Sequence, residues 1–150
     1  MGEGAASAGA RSVPFDDLFR IEWGATVEKV KVRARGLRED SGHIAPSAVQ
    51  TFRAYSEEIK VSGHDAVATF TFRNARLIDV TIRFADKRGV KDVLPALKER
   101  LGKETSKVKG RHRWVFGARE VAFKDRLLGF STREEFQPPP PKTASASAQQ

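Results

Sequence analysis

The sequence predicts an α+β fold, a two-layer arrangement in which an antiparallel sheet carries two helices on one face. Three observations predict it. Residues 66–72 and 78–84 each alternate apolar and polar side chains on either side of a short turn, the period of a half-buried strand. Residues 90–101 then place apolar side chains at helical spacing. Residues 112–131 break into three short strand-like runs separated by turn residues.

In the first pair, Ala66, Ala68, Phe70 and Phe72 share one face and Val67, Thr69, Thr71 and Arg73 the other. Ile78, Val80, Ile82 and Phe84 oppose Asp79, Thr81 and Arg83 in the next run. Asn74-Ala75-Arg76 forms the hairpin turn between them, asparagine being tolerant of the left-handed conformation. The helix presents Val90, Val93, Leu94, Leu97 and Leu101 and ends at Gly102, with Lys98, Arg100 and Lys103 where cations suit the helix dipole. Pro95 has no amide hydrogen, and the first residues of a helix need no amide partner, so the proline places the helix start near Lys91 or Asp92.

Upstream, Phe15, Leu18, Phe19, Ile21 and Trp23 form an apolar cover for one edge of the core. Gly24 breaks that run, and Thr26 can cap a helix whose apolar positions are Val27, Val30, Ala34 and Leu37, with Gly36 as a stop. Residues 27–35 also alternate as a strand would, Val30, Val32 and Ala34 against Lys29, Lys31, Arg33 and Arg35; the start and stop signals favour the helix. Residues 38–46 read as a loop containing Gly42 and Pro46. Val49, Phe52, Tyr55 and Ile59 fit helical spacing whereas residues 57–61 alternate, so a strand ends at Val61 and residues 46–56 fit either state. Ser62-Gly63-His64-Asp65 then turns the chain into the hairpin.

After the second helix, residues 104–110 read as a solvated basic connector. Strands follow at 112–116, 120–123 and 127–131, with turns at Gly117-Ala118 and Lys124-Asp125-Arg126. The order of helix, three strands, helix, three strands has the form of a duplicated α-β-β-β unit. Residues 1–13 read as a disordered tail, 14–136 as a single α+β domain, and 137–150, with four prolines followed by Ala, Ser and Gln, as a Pro-rich disordered tail. The expected structural core holds Trp23, Gly24, Phe70, Phe72, Val80, Ile82, Leu94, Leu97 and Trp114.

The run Phe19-Arg20-Ile21-Glu22-Trp23-Gly24-Ala25-Thr26 followed by Val30, the stretches 61–66 and 70–77, and then an apolar strand, a helix and Trp114 together resemble a group of uncharacterised small bacterial domains. Many of these are exported or lipid-anchored, and their architecture is similar to the β-lactamase-inhibitor-protein-like fold. The resemblance covers residues 15–132 and implies no catalytic residues. The first eleven residues hold no apolar run, so the chain as written predicts a cytoplasmic location; a leader removed from a precursor would predict the periplasm or envelope instead.

Chemistry is sparse. With no cysteine, neither disulfides nor thiolate metal sites can form. His43, His64 and His112 lie in a loop, a turn and at a strand start, without the short spacings of a metal site, and His64-Asp65 beside Gly63 is expected to satisfy a turn backbone. Asp16-Asp17, Glu57-Glu58 and Glu134-Glu135 are sequence neighbours that cannot converge on one substrate, so they read as solvated surface charge. There is no phosphate-binding glycine loop, and Ser41 near His43 lacks the strand–turn–helix setting of a nucleophile. The expectation is a protein that is not an enzyme and uses no cofactor and no metal.

Charge is the more informative signal. The chain carries a formal +8, and residues 87–113 hold ten Lys or Arg against three carboxylates. Lys103, Lys107, Lys109, Arg111 and Arg113 are the candidate partner-binding residues; the last four alternate outward next to Trp114 and Phe116, a mixture of cations and aromatics that suits nucleic acid as well. The expected partner is another protein, met through a sheet face or edge, with nucleic acid bound by the segment 103–113 as the alternative.

Overall fold

The computed structural model describes residues 10–39 and 52–137; the side chains of 88–90 are not included. The elements are β1 (Arg11–Val13), a 3-10 helix (Phe15–Phe19), α1 (Val27–Arg33), β2 (Arg38–Glu39), β3 (Phe52–Val61), β4 (His64–Arg73), β5 (Arg76–Phe84), α2 (Lys87–Leu101), β6 (Ser106–Val108), β7 (Arg111–Phe116), β8 (Arg119–Lys124) and β9 (Leu127–Thr132). The strands join one mixed sheet in the order β1-β3-β4-β5-β9-β8-β7-β6, with β2 also on β3. Among the described strands, β1 against β3 is the one parallel pair. The α+β class is therefore as expected, with an antiparallel-dominated sheet.

Tight turns set the register. Ser62 and Gly63, then Asn74 and Ala75, have positive φ, the geometry of two-residue turns whose twist matches that of the strands. Thr71 pairs with Asp79 but Phe72 with Leu77, so Ile78 is an extra residue in β5, a β-bulge. The expected face of Ile78, Val80, Ile82 and Phe84 is corrected there: Leu77 is buried and Ile78 is half-buried. The register continues through Val80 opposite Phe130 and Val121 opposite Trp114, so one sheet face supplies the core from β3 to β7. Phe72, Val80, Ile82, Leu97 and Trp114 are buried in it, and Phe70, Leu94 and Trp23 pack against it half-buried.

Residues 27–33 are helical: Thr26 accepts a hydrogen bond from the Lys29 amide, Val27 and Val30 pack on the core, and Val32 points to solvent. Residues 52–56 belong to strand β3; residues 46–51 lie outside the described residues. Three boundaries move. Arg11–Val13, placed by sequence in the tail, pairs with Ile59–Val61, because the buried Val13 has a core position to fill. Helix α2 begins at Lys87, four residues earlier than Pro95 predicts, so the proline interrupts the ladder of an established helix on its exposed side. The connector 104–110 contains β6, which pairs with β7.

Gly24 is fixed by geometry. Its φ is +82°, its amide donates to the Leu77 carbonyl, and a Cβ there would lie 2.6 Å from the Phe136 ring. Gly24→Ala is expected to cost about 2 kcal/mol, from left-handed strain and the displaced ring. Chemical denaturation of both proteins measures that difference.

Candidate functional site

The five basic candidates do not form one surface. Lys103, Lys107 and Lys109 are exposed, and among the described residues they make no ion pair. Arg111 and Arg113 are engaged: both reach Glu120 on β8, at 3.4 and 2.7 Å. Their hydrogen bonding and charge hold the Glu120 carboxyl below the usual range. Lys107 pairs with His112 and Ser106 with Arg113, so Lys107 faces the opposite side of the sheet from Arg111 and Arg113. Lys109 sits in the β6–β7 turn with φ of 52°. The expected outward alternation of these four residues is thus corrected by the strand pairing that a connector would have lacked.

Trp114 is 1% exposed and donates its indole N–H to the Gly102 carbonyl, so it cannot stack on a base, whereas Phe116 is 49% exposed at the end of β7. The β6 edge itself is short and bears Lys107, with Lys109 in the turn that follows, the usual protection against adding a foreign strand. Beyond it, the Val115 amide is already bound by Thr105 Oγ1.

The histidines and acidic pairs find structural partners. His112 is buried, with Nδ1 2.5 Å from Glu104 Oε2, and this hydrogen bond draws the Glu104 carboxyl below its ordinary range. His64 reaches Asp92 on α2 at 3.1 Å rather than the turn backbone, because as the first residue of β4 it faces the helix. His43 lies outside the described residues. Glu57 corrects the reading of Glu57-Glu58 as solvated: it is buried on the core face and bound by Arg11 at 2.9 Å. Glu134 is likewise engaged, by Arg119 and by Thr132. Among the described residues no three carboxylates or histidines converge as metal ligands.

The opposite face of the sheet gathers a different set. Strand alternation and register place Thr69, Asp79, Thr81, Gly129, Ser131, Glu120, Ala122 and Arg113 there. Asp79 follows the β5 bulge and stands between Thr71 and Ser131 in the register. Burial raises its carboxyl to about 6, and it forms no described hydrogen bond or ion pair. Arg113 Nε is buried and also lacks a hydrogen-bond partner among the described residues.

Gly129, between Thr81 on β5 and Ala122 on β8, has no positive φ, and a Cβ there would meet only Thr81 Cγ2, at 3.8 Å. The backbone does not need glycine at this position. A glycine inside a strand without that need marks a place where something can approach the sheet closely.

No family model, curated protein or solved structure matches this chain. Function therefore rests on the site itself. Asp79 and Gly129 were not among the sequence candidates, although both are residue types depleted in strands and both interrupt strand-like runs. Their meaning emerges only when the register sets β5 beside β9. No helix among the described residues is long and apolar enough to cross a membrane.

Proposed function

We propose that this is a non-enzymatic bacterial accessory domain that binds another protein through the sheet face carrying Asp79 and Gly129. In this reading the fold is two-layered, with both helices on the core side and the partner taking the place of a third layer. The order of a helix and four strands occurs twice, ending in β5 and β9 side by side, which supports a duplicated unit and puts the face at its junction. The observation that carries the proposal is Gly129: a mid-strand glycine that the backbone does not require, on the same face as a half-buried carboxylate that has no partner among the described residues. A lysine, arginine or hydroxyl of the partner would complete Asp79, and the small Gly129 and Ala122 would admit close contact. Nucleic acid ranks second because Glu120 engages two of the five proposed cations.

Gly129→Arg tests the two readings together. Its side chain projects from the open face, so the fold is expected to survive, as circular dichroism would record. Immobilised wild-type chain should retain a discrete protein from the source lysate after nuclease treatment and moderate salt, and Gly129→Arg should lose it. Reversing Lys103, Lys107 and Lys109 to glutamate should leave that capture intact. Loss through the lysines alone, with binding to generic DNA or RNA that falls steeply with salt, would establish the nucleic-acid reading instead.

A further inference from the structure

One row of residues crosses the sheet at the end where the β6–β7 and β8–β9 hairpins turn. Val67 pairs with Arg83, Arg83 with Leu127 and Leu127 with Lys124. Arg111 stands beside Lys124, because His112 pairs with Phe123, and it pairs in turn with Val108. All six are exposed, whereas the neighbouring row through Thr69, Thr81, Gly129, Ala122 and Arg113 is half-buried. Of the five large apolar side chains exposed among the described residues, three fall in this one row: Val108 at 62%, Val67 at 39% and Leu127 at 38%. Single exposed aliphatics are ordinary on a protein surface; their alternation with three cations along one line is not.

The two hairpin tips extend the row. Val108 leads into Lys109-Gly110, both with positive φ, and Leu127 follows Asp125-Arg126 in the next hairpin, about 10 Å away at the spacing of strands. Among the described residues Arg83, Lys109 and Lys124 form no ion pair. Arg126 donates to the Ala85 carbonyl, and Arg111 is shared with Glu120. Asp125 is the one carboxylate of the two tips. Each tip therefore presents an exposed aliphatic side chain next to exposed cations.

We infer that this corner of the sheet rests on the surface of an anionic phospholipid bilayer, its cations among the phosphates and Val108 and Leu127 at the boundary of the acyl chains. Nucleic acid is matched less well. It calls for rings on which bases stack, and Trp114 is buried while Phe116 lies at the opposite end of β7. A folded acidic protein is also the poorer match, because such interfaces disfavour lysine and enclose their apolar residues in a packed centre, which two projecting tips do not offer. Asp79 and Gly129 lie outside the row, so the inference does not rest on the protein-binding reading.

Vesicles of phosphatidylcholine alone, and of phosphatidylcholine and phosphatidylglycerol in equal parts, are the probes, sedimented with the full chain. Retention on the anionic vesicles and not on the neutral ones is expected. Lys109→Asn and Lys124→Gln, both surface changes, should each weaken it about fivefold. Val108→Ser should remove the part of the binding that persists when salt is raised. In Val108→Trp the emission should shift to the blue on the anionic vesicles, a change that the wild type does not show. Absence of retention at low salt would overturn the site, as would a Val108→Trp emission that the anionic vesicles leave unchanged. Tighter retention of duplex DNA or polyglutamate than of the vesicles, unaffected by Val108→Ser, would assign the cations to a polyanion and overturn the bilayer.

Discussion

Asp79→Asn is expected to stabilise the protein at pH 8 by up to about 3 kcal/mol and to have no effect at pH 3. The carboxyl is raised from 3.8 to about 6 by burial, and among the described residues it has no partner that would compensate. A tenfold change in proton affinity is worth about 1.4 kcal/mol. A carboxyl with a raised pKa keeps in the folded state a proton that the unfolded chain releases, so its contribution to stability falls as pH rises from about 4 to about 6. Below that window both states are protonated and the variant gains nothing; above it the full penalty of a half-buried charge is present. Glu104, Glu120 and Glu134 have lowered carboxyl pKa values and act in the opposite sense, losing stability as pH falls. The difference between wild type and Asp79→Asn cancels them. Urea denaturation of both proteins at pH 3, 5 and 8 measures it, and equal stabilities at pH 8 would show that Asp79 carries no penalty. A fold that keeps a destabilising carboxylate on an open face is the pattern expected where a partner later engages the group.

The parts of this fold that were legible in the sequence are those governed by local repetition. The alternation of Ala66, Ala68, Phe70 and Phe72 requires only that one face be apolar, and it survives in β4 without change. Thr26 announces α1 through a cap whose donor lies three residues away. What was not legible depends on residues distant in sequence. Ile78 leaves the expected face because Leu77 is drawn to Phe72 across the hairpin, a choice between two apolar neighbours that the pattern does not make. Glu57 resembles its neighbour Glu58 until Arg11, forty-six residues away, binds it on the core face. Ser106–Val108 has too few residues to show a period and becomes a strand only because β7 offers it hydrogen bonds. The basic run kept its charge but not its surface. A count of cations cannot reveal that Glu120 lies across a turn from Arg111 and Arg113, on their side of the sheet.

Trp114→Ala is expected to cost about 3–5 kcal/mol, lowering the melting temperature by roughly 10–20 °C. Trp114 is the largest fully buried side chain, and it ties two parts of the fold together. Its ring lies beside His112, 6.2 Å between centroids and nearly parallel. Its N–H is 2.9 Å from the Gly102 carbonyl, at the point where α2 ends in a left-handed glycine. Truncation would therefore open a cavity under β7 and release the end of α2. Trp114→Phe would fill most of that space and free only a carbonyl on an exposed residue that water can reach, so its cost should be nearer about 1–2 kcal/mol. Differential scanning calorimetry of the two variants separates packing from hydrogen bonding. The same burial bears on function. In a Trp23→Phe background, Trp114 fluorescence should be blue-shifted and should not move when single-stranded DNA is added, whereas a quenched or shifted emission would place the indole against the bases. A tryptophan that holds a helix end to a strand cannot also serve as a stacking platform, so the aromatic half of the nucleic-acid reading reduces to Phe116 and its cationic half to three lysines.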